Sequence, residues 1–407
     1  MSEKDLHYKK DLDFWHEGVS LTFRVSQALF SSHQIDTGTQ RLLKTVLDFP
    51  FNEGSKILDL GCGYGPIGLT LAKRHPGSFV HMVDRDILAV DYARQNAILN
   101  GLDNCMAYGS LGYDDVTEHD FDLIISNIPG KAGETVVTAL LEDARYYLKT
   151  GGTVAIVVVT PLEEFVSTVL NQPDIEVLHH SVYAGHVVFH YCFKSTPAYP
   201  AGASFENGVY DRASVELSLN DADITMITGY GLPEFDSLDY QTDLVIKALV
   251  EMASLPVRHV IVYNPGQGYL PVILWRLSKP EKITLVSRDL LSLKVTRVNL
   301  SENGCPGERM SMRSQTGWDL HQTTPEFSDS YVADFIVGVL RNDDGQEISA
   351  AEVKQAVVNL AVGGYILVAG GSTPITRLLK DMQKDKSVVL KKRRKHQGKS
   401  LAILQRR

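Results

Sequence analysis

The chain has 407 residues, 44% of them hydrophobic and 22% charged, with a formal net charge of −9. That length exceeds what one hydrophobic core normally serves, so two domains are expected; the acidic balance argues against a general polyanion binder but allows a local basic patch. Cys62, Cys105, Cys192 and Cys305 form no CxxC pair, which points to reduced thiols in a cytoplasmic protein and away from a disulfide framework or a zinc site.

The opening stretch, MSEKDLHYKKDLDFW, is charged and has no apolar h-region. No run approaches the roughly 18 apolar residues of a membrane helix. Beyond it, short apolar runs alternate with longer amphipathic stretches. In chain order they predict a helix near 39–47, a strand at 56–60, a helix near 66–74, a strand at 79–84 and a helix near 87–100. Strands at 105–108 and 121–126, a helix near 134–147, a strand at 153–159 and a helix near 161–170 follow. Runs 175–180 and 187–193 flank Tyr183-Ala184-Gly185 and read as a hairpin. This alternation is the signature of βαβ units and a parallel sheet covered on both faces by helices. A Pro-, Gly- and Ser-rich stretch, STPAYPAGASFENG, then marks a linker.

The pattern then repeats. At a constant offset of 203, Gly63 meets Gly266, Gly65 meets Gly268, Arg85-Asp86 meets Arg288-Asp289, Asn96 meets Asn299 and Asn100-Gly101 meets Asn303-Gly304. Upstream, Asp36 meets Asp239, Thr39 meets Thr242 and Lys44 meets Lys247; downstream the register slips by about nine, pairing Asp122 with Asp334 and Gly151-Gly152 with Gly363-Gly364. Two unrelated α/β units would not keep register through so many polar positions, so the chain is read as a duplication.

In the first copy, ILDLGCGYGPIG is a buried strand carrying Asp59, then Gly61, Gly63 and Gly65, then a helix from about Pro66. Glycines let the backbone turn sharply and admit a ligand close to the helix N-terminus. The next strand ends in Asp84, followed by Arg85, where a carboxylate can accept from ribose hydroxyls. A glycine-rich turn alone is weak, since dehydrogenases share it. Asp59, two residues before the first glycine, suits a cationic ammonium, and AYGSL after the third strand can cover an adenine. Together these favour S-adenosylmethionine over a nicotinamide cofactor or a structural turn. The second copy has Val262, Asn264, Pro265 and Ser287 where the first has Asp59, Gly61, Cys62 and Asp84, and Val339 opposite Asn127. It reads as a fold kept with its site lost.

FDLIISNIPGKAG ends an apolar run at Ser126-Asn127. Methyl transfer from a sulfonium is a direct displacement, so the protein mainly holds the acceptor in line. An exocyclic base amine needs acceptors for its two hydrogens; the Asn127 side chain and the Ile128 carbonyl supply them, while Pro129 stiffens the loop. Gly130 offers no ring for stacking, a contact worth about 1–3 kcal/mol, so Tyr64 or Tyr113 is expected to take that role.

ALFSSHQIDTGTQRLL (residues 28–43), LDLGCGYGPIG and FDLIISNIPGKAG together resemble class I S-adenosylmethionine-dependent methyltransferases, specifically the methyltransferase small domain group that includes duplicated ribosomal RNA guanine-N2 enzymes. That group typically shows Asn-Pro-Pro-Phe, and the degenerate copy precedes the active one in the duplicated members; both features differ here. The resemblance implies an α/β fold of two tandem doubly wound Rossmann-like domains: an active one at 1–196, a linker at 197–214 and a degenerate one at 215–407. It places Asp59, Gly61, Gly63, Gly65, Asp84, Arg85 and Asn127 around the cofactor, Ser110 and Leu111 against the adenine, and Asp36, Gly38 and Thr39 near the methionine end. Residues 36–39 also read as a helix N-cap.

KKRRKHQGK, containing Lys391, Lys392, Arg393, Arg394 and Lys395, is either a solvated hairpin tip or a contact for RNA phosphates. His179, His180, His186 and His190 cluster in sequence without carboxylate or cysteine spacing, so no metal is expected. The reading is a cytoplasmic, monomeric enzyme, using Asn127, Ile128 and Pro129 to methylate an exocyclic base amine, most naturally in ribosomal RNA, with no membrane partner. A protein amide or small-molecule amine as acceptor, and a non-catalytic protein that binds S-adenosylmethionine or RNA, remain open.

Overall fold

The computed structural model describes residues 5–195, 203–219, 222–318, 320, 332–341, 346–383 and 386–407. The chain divides into two compact units, one formed by Tyr8–Tyr210 and the other built on Asp211–Arg407. The break falls inside the stretch expected as linker. Residues 203–210 belong to the first unit, where the Ser204 and Phe205 amides donate to Asp114, and residue 211 already begins a strand.

The first unit opens with a hairpin, β1 (Tyr8–His16) and β2 (Val19–Ser26), absent from the sequence reading. Then come α1 (Thr37–Val46), β3 (Lys56–Leu60), α2 (Pro66–Arg74), β4 (Phe79–Asp84), α3 (Ile87–Leu99), β5 (Cys105–Gly109) and β6 (Phe121–Asn127). The unit closes with α4 (Glu134–Glu142), β7 (Leu148–Val159), α5 (Glu163–Leu170), β8 (Ile175–Tyr183) and β9 (His186–Phe193). The helix expected over 134–147 stops at Glu142 and tightens into a 3-10 turn at Asp143–Tyr146. Seven strands form one sheet in the order β5-β4-β3-β6-β7-β9-β8, parallel as far as β7 and antiparallel thereafter. The order reverses between β3 and β6, and in open α/β sheets ligands bind at the carboxyl ends of strands beside such a switch point.

The second unit repeats this. Its elements are β10 (Asp211–Leu219), β11 (Ala222–Gly229), α6 (Tyr240–Glu251), β12 (His259–Tyr263), α7 (Tyr269–Ser278), β13 (Lys282–Ser287), α8 (Leu290–Glu302) and β14 (Met310–Ser314). After them come β15 (Ala333–Val339), α9 (Gln346–Val358), β16 (Leu360–Gly371), α10 (Ser372–Met382), β17 (Val388–His396) and β18 (Lys399–Arg406). Its sheet runs β14-β13-β12-β15-β16-β18-β17, strand for strand the order of the first.

The polar positions shared by the copies hold the hairpins down. Asn96 on α3 accepts from the Arg24 amide at 2.7 Å and donates to the carbonyls of Arg24 and Tyr64. Asn299 on α8 makes the same three bonds with Ile227 and Gln267, each partner 203 residues further on. Asn100 and Asn303 each donate to a further hairpin carbonyl, of Thr22 and Thr225. Asp122 and Asp334 tie the start of the central strand through the Lys56 and His259 amides. Asp86 and Asp289 cap α3 and α8. A buried Asn whose amide closes main-chain groups of two other segments is costly to replace, because those groups lose their partners.

Candidate active site

β3 delivers Asp59 and the loop behind it to the carboxyl edge of the sheet. Gly61, Gly63 and Gly65 have φ of 77°, 55° and 94°, the left-handed region where side chains are strained. A Cβ on Gly61 or Gly63 would meet nothing within 4 Å, so backbone conformation, not crowding, calls for glycine there and the outer side of the loop is open. Pro66 starts α2 directly after Gly65. The loop is pinned from β4: the Gly61 and Cys62 amides donate to the Val83 carbonyl, and the Gly63 amide donates to Asp84 Oδ2 at 2.9 Å.

Asp59 is fully buried. Its Oδ2 accepts from the Gly68 amide at 2.8 Å, while Oδ1 is buried with no partner. Burial, with a contribution from the Asp84 charge, pushes its carboxyl up to about 7. An orphaned carboxylate oxygen beside an open glycine cradle fits a cationic, nucleoside-bearing ligand. Asp84 and Arg85 are half-buried at the end of β4. Ser110 and Leu111, after β5, are buried; the Ser110 hydroxyl donates to the Gly112 carbonyl at 2.7 Å and its amide donates to the Asp84 carbonyl, so the hydroxyl shapes the turn.

β6 carries Asn127 to the same edge. Its Nδ2 donates to Asp36 Oδ2 at 2.9 Å and to Thr39 Oγ1 at 3.1 Å. Asp36 is also the N-cap of α1, accepting from the Thr39 amide at 3.1 Å. Nothing among the described residues donates to Asn127 Oδ1 or to the Ile128 carbonyl. The Ile128 side chain is buried in the apolar cluster beneath the sheet, and its amide donates to the Val157 carbonyl. Pro129 and Gly130 are exposed, and a Cβ on Gly130 would meet only a Val159 methyl, at 3.2 Å. Gly38 must be small: a Cβ there would lie 2.7 Å from His186 Cδ2 and 2.9 Å from Asp36 Oδ2. The structure thus places His186 beside this corner, a neighbour not visible from sequence spacing.

The expected stacking ring is not where the sequence puts it. Neither Tyr64 nor Tyr113 can present a ring face. Tyr64 is 2% exposed, edge-on to Phe23 and hydrogen-bonded to the Ser31 carbonyl; Tyr113 is 3% exposed and stacked on Tyr147 at 4.7 Å. The exposed ring tied to this loop is Phe30, 74% exposed and next to Ser31. The four histidines do not converge on one point: the His179 and His190 rings lie 4.8 Å apart and also bond Ser181 and Thr45, His180 pairs with Glu163, and His186 stands beside Gly38. Among the described residues no His, Cys, Asp and Glu cluster could hold a metal, and no helix is long and apolar enough to cross a membrane. On β17 the basic run is partly engaged: Lys392 and Arg394 pair with Glu251 and Arg393 donates to Thr376, leaving Lys391 and Lys395 exposed.

The corresponding corner of the second unit is filled. The Trp318 ring stacks on Tyr263 at 4.4 Å and 4°, and a Cβ on Gly338, opposite Ser126, would overlap it. Asn264 stands where Gly61 does and donates to the Val339 carbonyl at 2.8 Å.

Residues 20–175 match the methyltransferase small domain family. The uncharacterized protein YbxB of Bacillus subtilis is 37% identical over 151 residues, 37% of this chain and 74% of that protein. The chain belongs to the methyltransferase small domain family. Ribosomal RNA small subunit methyltransferase C of Haemophilus influenzae is 37% identical over 142 residues, 34% of this chain and 42% of that enzyme, so the match spans under half of that relative. The Thermus thermophilus 16S rRNA N2 G1207 methyltransferase in complex with AdoMet and guanosine superposes with a TM-score of 0.67. That likeness spans 98% of this chain and 99% of that one, and at 19% identity it shows a common fold of two tandem units.

Proposed function

We propose that the first unit is an S-adenosylmethionine-dependent N-methyltransferase acting on an exocyclic base amine of ribosomal RNA. The observation carrying this reading is the Asn127 amide: its nitrogen is engaged by Asp36 and Thr39, so its oxygen and the adjacent Ile128 carbonyl are left as two open acceptors. Two acceptors suit an amine with two hydrogens. Held there, the nitrogen lone pair is drawn out of ring conjugation and toward the electrophile. Bound S-adenosylmethionine supplies an electrophilic methyl group. Asp59 Oδ1 would accept from a cationic ammonium, Asp84 from ribose hydroxyls, and the backbone of Gly61 to Gly65 would admit the nucleoside closely. Asp84 holds the loop through the Gly63 amide on Oδ2 and the start of α3 through the Asp86 amide on Oδ1. Pro129 stiffens the turn past the acceptor.

In this reading the second unit binds no cofactor, since the Trp318–Tyr263 stack fills its corner and both carboxylates are gone. It contributes RNA contacts through Lys391 and Lys395 on β17, and the enzyme works as a cytoplasmic monomer. Nucleoside mass spectrometry of ribosomal RNA from a strain lacking the gene tests the substrate. One N-methylated nucleoside should disappear and return on complementation; an unchanged profile would reject ribosomal RNA as the acceptor.

A further inference from the structure

Asp36 and Thr39 precede the glycine loop by more than twenty residues and stand at the start of α1, yet both reach Asn127 across the site. A side-chain amide can sit in two orientations related by a half-turn, and only its partners choose between them. Here the choice is over-determined. Asp36 Oδ2 and Thr39 Oγ1 can both accept, and the Thr39 amide fixes the same Asp36 oxygen at 3.1 Å. The flipped amide would aim its oxygen at the Asp36 carboxylate, a repulsive contact. Gly38 lets the carboxylate and the His186 ring close in over the cap.

We infer that Asp36 and Thr39 are positioning residues that lock the Asn127 amide with its oxygen toward the acceptor amine, a role distinct from contact with the cofactor. This rests on the proposed amine chemistry at Asn127. It gives the N-cap a double duty: the carboxylate that ends the helix also sets the polarity of the site.

The lock is read by NMR of the Asn127 side-chain amide in the free protein, and by steady-state kinetics with separate cofactor affinity. In the wild type the two amide protons should exchange slowly and differ from those of exposed asparagines. Thr39→Val, which keeps shape and loses the hydroxyl, should speed that exchange and lower kcat about 10- to 100-fold, with S-adenosylmethionine affinity within about threefold. Thr39→Ser should restore most of both. Asp36→Asn keeps a good N-cap and an acceptor oxygen and should cost only a few-fold, whereas Asp36→Ala should cost as much as Thr39→Val. Unchanged amide exchange in Thr39→Val and Asp36→Ala would overturn the lock, as would a loss confined to cofactor affinity. Faster amide exchange with full turnover would instead leave the lock standing and reject the amine reading of Asn127.

Discussion

Replacing Asp59 by Asn removes a buried charge while keeping an oxygen for the Gly68 amide. Asp59 is fully buried, one of its oxygens has no partner, and its carboxyl is raised from 3.8 to about 7. A raised carboxyl means that the native state holds its proton where the unfolded chain has lost it. Unfolding then releases a proton across that window, so stability falls as pH rises from about 4 to about 7 and levels off above. Roughly three decades in proton affinity correspond to roughly 4 kcal/mol at 1.36 kcal/mol per decade, an upper figure because local relaxation lowers it. Asp59→Asn should therefore stabilise the first unit by about 2–4 kcal/mol at about pH 8, with the advantage shrinking to about 1–2 kcal/mol near pH 5. The same change should weaken S-adenosylmethionine binding at least tenfold, because the ammonium loses its counter-charge. Urea unfolding at both pH values, followed by amide exchange in residues 8–210, reads the first effect and calorimetry the second. A pH-independent difference, or a variant less stable at pH 8, would refute the account of Asp59.

Calorimetry with S-adenosylmethionine should give one site per chain, and binding should survive Trp318→Ala in the second unit; two sites in the wild type would contradict the closed second corner. Lys391→Ala with Lys395→Ala should weaken RNA binding and reduce the slope of log affinity against log salt by about 1–2, since both lysines are exposed and neither pairs with a carboxylate among the described residues. Unchanged slopes would remove β17 from substrate capture.

The βαβ core was legible because its buried strands are short apolar runs and its loop needs glycines that nothing else explains. The β1–β2 hairpin was missed although Val19, Leu21, Phe23 and Val25 alternate inward along β2. Charged residues on the opposite face made the segment look like a solvated terminus. The asparagines that revealed the duplication were legible as a pattern but not as a role; only the fold shows them clamping each hairpin to its helix. Asn127 could be placed at a strand end, yet the orientation of its amide depends on partners some ninety residues away in sequence. Burial of Tyr64 and Tyr113, and the pairing of Lys392 and Arg394 with Glu251, are likewise set by distant segments.

In the proposed reaction Asn127 presents acceptors to an RNA base amine. Transfer of labelled methyl from S-adenosylmethionine to ribosomal RNA lacking the modification, compared between wild type and Asn127→Ala under saturating cofactor, tests it most directly. The wild type should give an N-methylated base, and the variant should turn over at least about 100-fold more slowly with cofactor affinity within a few-fold. Undiminished transfer by Asn127→Ala, or label appearing on a ring carbon or a ribose oxygen, would contradict that reaction.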